Sequence, residues 1–72
     1  MSKFYIISAD NKIICTVDGQ NELVDIDKTE NEDISLFNEK NILDIKTKLS
    51  KDFNKPLFIK IISFNTNYET IN

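Results

Sequence analysis

Residues 3–17 read Lys-Phe-Tyr-Ile-Ile-Ser-Ala-Asp-Asn-Lys-Ile-Ile-Cys-Thr-Val, and the expected architecture is built around this segment. Two β-rich runs flank Asp10 and Asn11, residue types that tolerate the positive φ angles of tight hairpin turns. The stretch therefore predicts a β-hairpin with a two-residue turn. Such a turn sets the pairing of the strands, and the expected pairs are Ala9–Lys12, Ser8–Ile13, Ile7–Ile14, Ile6–Cys15, Tyr5–Thr16 and Phe4–Val17.

This pairing sorts the side chains onto two faces, because successive residues of a strand point to opposite sides of the sheet. One face is almost wholly apolar, and we expect it to form the core; it carries Phe4, Ile6, Ser8, Ile13, Cys15 and Val17. The second face is mixed but still more apolar than plain solvent exposure requires; it carries Tyr5, Ile7, Ala9, Lys12, Ile14 and Thr16.

The segment after the hairpin predicts a turn, an edge strand and a loop. Asp18–Asn21 is rich in turn residues. Residues 22–27 follow as a short, half-buried strand, because Val24 and Ile26 alternate with Asp25 and Asp27. Residues 28–33 contain no apolar side chain and predict a loop. Residues 34–37 form a short apolar run that is compatible with either a strand or the lead-in to a helix.

One amphipathic helix is predicted from Glu39 to about Phe53, with Asn38 as its N-cap. Its apolar stripe consists of Ile42, Ile45, Leu49 and Phe53, widened by Leu43, and its polar face of Lys40, Asp44, Thr47, Lys48 and Lys51. Asn54 and Pro56 then predict the end of the helix. Residues 57–64 are apolar on both faces, which is typical of a strand covered on both sides, and we place this strand beside the first.

Together these elements predict a single α+β domain over residues 1–72, with residues 65–72 as a C-terminal tail. The expected architecture is a small antiparallel sheet of three to four strands with one helix on one face, in the order β-β-(β)-α-β. No element remains to cover the second face of such a sheet. We therefore expect an exposed apolar surface for a partner or a second copy, formed by Tyr5, Ile7, Ile14, Phe58 and Ile62, with Phe64 beside them.

The middle of the chain is strongly acidic. Seven acids stand against Lys28 alone, which leaves a net charge of −6; they are Asp18, Glu22, Asp25, Asp27, Glu30, Glu32 and Asp33. The segment is interpreted as a solvated surface, as a surface for a basic partner, or as a calcium loop. The calcium interpretation is the least favoured, because the glycine that an EF-hand loop needs at its sixth position is replaced by Glu30.

The composition favours a binding protein over an enzyme. The chain has no histidine, so it lacks the usual general base. Its single cysteine cannot form an internal disulfide, and without histidine it cannot complete a nitrogen–sulfur zinc site. We therefore expect no cofactor and no metal. Cys15 is expected to be a buried structural residue. The net charge of −3 argues against direct nucleic-acid binding, and the absence of a signal peptide or a long apolar segment argues for a cytoplasmic protein without membrane contact.

The layout over residues 3–64 resembles the short acidic accessory proteins of bacteriophages and mobile elements. The features that carry the resemblance are the strand Phe4-Tyr-Ile-Ile, the tight turn, Lys12-Ile-Ile, the acidic loop, Ser35-Leu-Phe-Asn38, the helix and Pro56-Leu-Phe-Ile-Lys-Ile. The resemblance implies a non-enzymatic inhibitor of a host defence nuclease, such as a CRISPR effector, or of a host regulator, acting in the host cytoplasm by protein–protein contact. The alternative is a self-associating homodimer with a structural or ligand-sequestering role.

Overall fold

The computed structural model describes the backbone of residues 2–64 and the side chains of residues 3–62. Four antiparallel strands form one sheet in the order β3-β2-β1-β4 and are joined by a single α-helix. The elements are β1 (Ser2–Ala9), β2 (Lys12–Val17), β3 (Gln20–Asp25), α1 (Ile42–Phe53) and β4 (Phe58–Phe64). The predicted α+β fold and the place of the last strand beside the first are confirmed. The predicted C-terminal tail lies outside the described residues.

The β1–β2 hairpin follows the predicted pairing only next to its turn. Asp10 adopts the expected positive φ of 52°, and the pairs Ala9–Lys12 and Ser8–Ile13 form as predicted. The four further pairs of the prediction are wrong, because β1 and β2 diverge beyond this point. Their backbone groups bond instead to the segment from Ile34 to Phe37, which fills the opening between the two strands.

This inserted segment carries the chain from one face of the sheet to the other. Ile34 forms a bridge with Cys15 of β2 and packs with the side chains on one face, whereas Phe37 bridges Tyr5 of β1 and packs with those on the opposite face. The segment is therefore neither a regular strand nor the first turn of the helix. It is a crossing point held by single bridges to two diverging strands.

The helix covers the face that the sequence analysis expected to remain open. Ile7 and Ile14 are 0% exposed, and Tyr5 is partly buried in the same cluster. That cluster joins the sheet to the helical stripe and consists of Ile7, Ala9, Ile14, Phe37, Ile42, Leu49 and Leu57, flanked by Tyr5, Leu23, Ile45, Phe53 and Ile59. The predicted assignment of the two faces is thus wrong: the helix packs on the Ile7 face, not on the Ile6 face.

The central part of the other face is also buried, although no α-helix of residues 2–64 lies on it. Residues 26–36 fold over it through two short 3₁₀ turns, Ile26–Lys28 and Asn31–Asp33. Beneath them Ile6, Ile13 and Cys15 form a second cluster, with Val24, Ile34 and Ile62 packed against it. Cys15 is a buried free cysteine at 1% exposure, as predicted. The expectation that nothing would cover a second face is wrong, because the acidic loop and Ile34 cover it.

The helix agrees with the predicted pattern except at its start. It begins at Ile42, and the turn before it is capped by Asn38, whose Oδ1 accepts hydrogen bonds from the backbone nitrogens of Lys40 and Asn41 at 3.0 and 3.3 Å. The four-residue stripe packs into the core as predicted, but Leu43 is 68% exposed and does not widen it. Asn54 ends the helix in the left-handed conformation, with φ 54° and ψ 48°.

Candidate protein-interaction surfaces

The acidic residues are distributed along the edge strand β3 and the loop that follows it. Glu22 faces Cys15 across the β2–β3 ladder, so it lies on the face that the loop covers. Asp27 belongs to the first 3₁₀ turn, and Glu32 and Asp33 belong to the second, which packs against β2. The structure therefore places Glu22 and the loop that carries the other acids, including Glu30 between the turns, on the same side of the sheet. Asp18 does not join them, because it lies in the turn at the opposite end of β3.

Asp25 forms an ion pair that links β3 to β2. Its Oδ1 accepts a hydrogen bond from Lys12 Nζ at 2.8 Å, across the β2–β3 ladder and on the helix-covered face. The hydrogen bond and the charge of Lys12 lower the pKa of the Asp25 carboxyl below its usual value. The other six acids of the segment are exposed, and within residues 2–64 none of them forms an ion pair.

The acidic loop is held in place by its own hydrogen bonds. Ile26 N donates to Asn11 O at 2.8 Å, and Thr29 Oγ1 donates to Asp25 O at 2.8 Å. Each 3₁₀ turn is closed by backbone bonds, such as Asp33 N to Glu30 O at 3.0 Å. The loop thus presents its carboxylates from a defined backbone, which lowers the entropy lost when a partner binds.

Ser35 anchors the end of this loop to the sheet, a role that the sequence analysis did not identify. Its backbone nitrogen donates to Ile14 O at 3.1 Å, and its hydroxyl donates to Asn21 Oδ1 at 3.0 Å. Thr16 Oγ1 lies 2.7 Å from Ser35 Oγ. Because the single Ser35 hydroxyl proton points to Asn21, Thr16 must be the donor in this second bond. The feature of the sequence that could have indicated this role is a polar serine within the short apolar run of residues 34–37.

An apolar cleft of about 260 Å³ lies beside the loop on the same face of the sheet. Its walls are Asn31, Ile34, Leu36 and Ile62, of which Leu36 is 47% exposed. A second cleft of about 350 Å³ is polar and lies between the β2–β3 turn and α1. Its walls are Gly19, Gln20, Asn21, Lys48, Leu49 and Asp52, and the Lys48 and Asp52 side chains pair at 2.9 Å.

The five residues of the predicted apolar surface do not share one face. Tyr5, Ile7 and Ile14 lie under the helix, whereas Phe58 and Ile62 stand on the opposite side, because their partners in β1 are Ser8 and Phe4. Fully buried Ile7 and Ile14 cannot reach a partner in the folded state. Among the described side chains of the sheet, the most exposed large apolar ones are on β4, where Phe58 is 56% and Ile61 60% exposed.

In the part of the chain that the structure describes, no group of three or more His, Cys, Asp or Glu residues is placed to hold a metal ion. None of the helices described there is long and apolar enough to cross a bilayer. No protein family model, curated protein or solved structure matches the chain.

Proposed function

We propose that the protein is a non-enzymatic binding protein whose acidic loop surface docks on a basic surface of a larger protein. The observation that carries this proposal is the set of five exposed carboxylates at Glu22, Asp27, Glu30, Glu32 and Asp33, which lack intramolecular cations within residues 2–64. Unpaired carboxylates on one face create a negative potential that steers a basic surface into contact.

The partner that best fits such a surface is a nucleic-acid-binding groove. Such grooves are lined by lysine and arginine side chains that bind phosphates, and carboxylates can occupy the phosphate positions. Together with the resemblance to phage accessory proteins, this chemistry favours an inhibitor of a host defence nuclease, such as a CRISPR effector, or of a host regulator. The protein would then act in the host cytoplasm.

The test measures binding to a panel of purified RNA-guided effector nucleases, together with inhibition of their DNA cleavage. We expect tight binding at low salt, slower association as salt rises, and loss of cleavage as the inhibitor is added. The triple variant Asp27→Asn, Glu30→Gln, Glu32→Gln should lower the association rate constant about tenfold at low salt.

A matched control separates the acidic loop from net charge. The variant Asp10→Asn, Glu39→Gln, Asp44→Asn removes the same three charges from exposed positions outside the acidic segment, so both variants move the net charge from −3 to 0. Asparagine at position 10 also tolerates the positive φ of that turn. We expect the control to bind as the wild type does. Equal losses in both variants, or no binding to any nuclease of the panel at low salt, would overturn the proposal.

The alternative was a homodimer formed through an open face that contains Ile7 and Ile14. That face is not available for self-association, because α1 covers it.

A further inference from the structure

We propose that the outer edge of β4, with which no strand of the described residues 2–64 pairs, pairs antiparallel with β4 of a second copy of this chain, centred on Ile61. The pairing would join two four-stranded sheets into one continuous sheet of eight strands. This inference is independent of the proposed acidic docking surface, because it uses the backbone groups at the outer edge of β4 and none of the loop carboxylates.

The backbone of β4 directs hydrogen-bonding groups to this edge, away from β1. Tyr5 N and Tyr5 O both bond to Phe37, at 2.9 and 2.8 Å, so Tyr5 directs its backbone away from β4. Ile61, its partner in the β1–β4 ladder, must therefore form a non-hydrogen-bonded pair with it. The N–H and C=O of Ile61 consequently point to the outside of the sheet, as do those of Ile59 two residues earlier. Within residues 2–64, no other element pairs with this edge.

The side chains of β4 are mostly apolar, as in a strand that has a neighbour on each side. Phe58 and Ile61 project from opposite faces of the sheet and are 56% and 60% exposed, and Lys60 is the only charged residue of the strand. Charged side chains usually protect an exposed edge from pairing. The other edge of this sheet follows that rule, since β3 carries two acids in six residues, Glu22 and Asp25.

One register satisfies the whole strand. A two-fold axis at Ile61 places Ile61 opposite its own copy and pairs every position from 58 to 64, whereas any other centre leaves strand ends unpaired. Lys60 then stands opposite Ile62, along which its aliphatic stem can lie. If the two-fold axis moved by one residue to Lys60, the two Lys60 ammonium groups would stand directly opposite each other, which is destabilising. The strand is therefore self-complementary about Ile61.

The dimer leaves the two acidic edge strands far apart. In the order β3-β2-β1-β4-β4-β1-β2-β3, the two β3 strands are separated by seven strand spacings, or about 34 Å. That distance exceeds the Debye length of about 8 Å at physiological salt, so repulsion between Glu22 on one β3 strand and Glu22 on the other opposes the dimer only weakly.

The test is the solution mass by light scattering and sedimentation over about a thousandfold range of concentration. We expect the mass to rise from 8.4 kDa to twice that value. Ile61→Lys places like charges at the two-fold axis and should yield a monomer at every concentration. Leu43→Lys, at a position that is 68% exposed on the helix, is the matched control and should still dimerise. A monomeric wild type, or a dimer that survives Ile61→Lys, would overturn the proposal.

A cross-link tests the register without relying on a destabilising charge. In a Cys15→Ser background, Ile61→Cys should be joined to its copy by a short bifunctional thiol reagent, because directly opposed residues of a hydrogen-bonded pair lie about 5.5 Å apart at Cα. Leu43→Cys in the same background should not cross-link. Equal cross-linking at both positions would overturn the proposal, since it would indicate random collision.

Discussion

Tyr5 and Phe37 exchange both of their backbone hydrogen bonds, at 2.9 and 2.8 Å, in the opening of the β1–β2 hairpin. This single pair links three features of the molecule. It holds the two strands apart and delivers the Phe37 side chain to the core beneath the helix. It also fixes the hydrogen-bonding phase of the β1–β4 ladder, so that the backbone groups of Ile61 point away from β1. The crossing segment from Ile34 to Phe37 is therefore the structural centre of the fold.

Truncation of Phe37 should accordingly destabilise the protein strongly. Phe37 is 9% exposed within the core cluster, and Phe→Ala changes at such sites cost about 3–5 kcal/mol. We expect Phe37→Ala to lower the free energy of unfolding by about that amount in urea titrations followed by circular dichroism. The adjacent Leu36→Ala is the control, since Leu36 is 47% exposed, and its effect should stay below about 1 kcal/mol. Similar losses in both variants would contradict this account of the crossing.

Local patterns in the sequence were sufficient to predict several elements. The Asp10–Asn11 turn, the helical stripe from Ile42 to Phe53 and the left-handed cap at Asn54 each depend on neighbouring residues, and each is present. The adjacency of β4 to β1 also follows from the need to bury an apolar strand.

The assignment of the two sheet faces could not be made in the same way. Both strands of the hairpin contain an Ile-Ile doublet, Ile6–Ile7 and Ile13–Ile14, so each face receives one isoleucine from each strand. Alternation then gives no preference for the side on which the helix packs. The choice is made by long-range contacts, such as that between Ile34 and Cys15, which no local pattern contains.

The candidate acidic surface was predicted only as a composition. The net charge of the segment is read directly from the sequence, but the Lys12–Asp25 pair depends on the β2–β3 register. The separation of Asp18 from the other acids also depends on that register. Five of the seven acids remain together on the loop-covered side of the molecule.

The anchor formed by Ser35 can be measured by a double-mutant cycle. Ser35→Ala removes one hydrogen bond to Asn21 and one from Thr16, and we expect it to lower the free energy of unfolding by about 1–2 kcal/mol. Thr16→Val removes only the second bond. The two changes should be non-additive, with a coupling energy above about 0.5 kcal/mol, because the residues share that bond. Full additivity would indicate that the Thr16–Ser35 bond contributes nothing.

The Lys12–Asp25 pair should make stability depend on pH in the acid range. The pKa of Asp25 is lowered in the folded state from its usual value of 3.8. Its contribution is therefore fully present above that unfolded value and is lost as the pH falls through the lower folded pKa. We expect melting temperatures to show that Asp25→Asn destabilises the protein at pH 6 and converges on the wild type in strong acid.

The partner residue supplies the control for this pH effect. Lys12→Gln should remove the same dependence, because Lys12 is the largest cause of the lowered pKa. Adding Asp25→Asn to Lys12→Gln should then change the acid profile no further. If the double variant keeps the wild-type dependence of stability on pH, that dependence arises from carboxyl groups other than Asp25.

The reactivity of Cys15 should report how the acidic loop opens. The thiol is 1% exposed beneath residues 26–36, and its Sγ lies 3.8 Å from Thr29 Oγ1. A bulky thiol reagent can reach it only after the loop lifts, so labelling should be slow in the folded protein and fast in urea. Ile34→Ala removes a side chain that packs against the Cys15 cluster and should accelerate labelling about tenfold or more. Leu43→Ala, on the exposed face of the helix, should leave the rate unchanged. If both variants label at the wild-type rate, the thiol becomes accessible by a route other than the opening of this loop, and the loop cannot be the layer that buries the second face of the sheet.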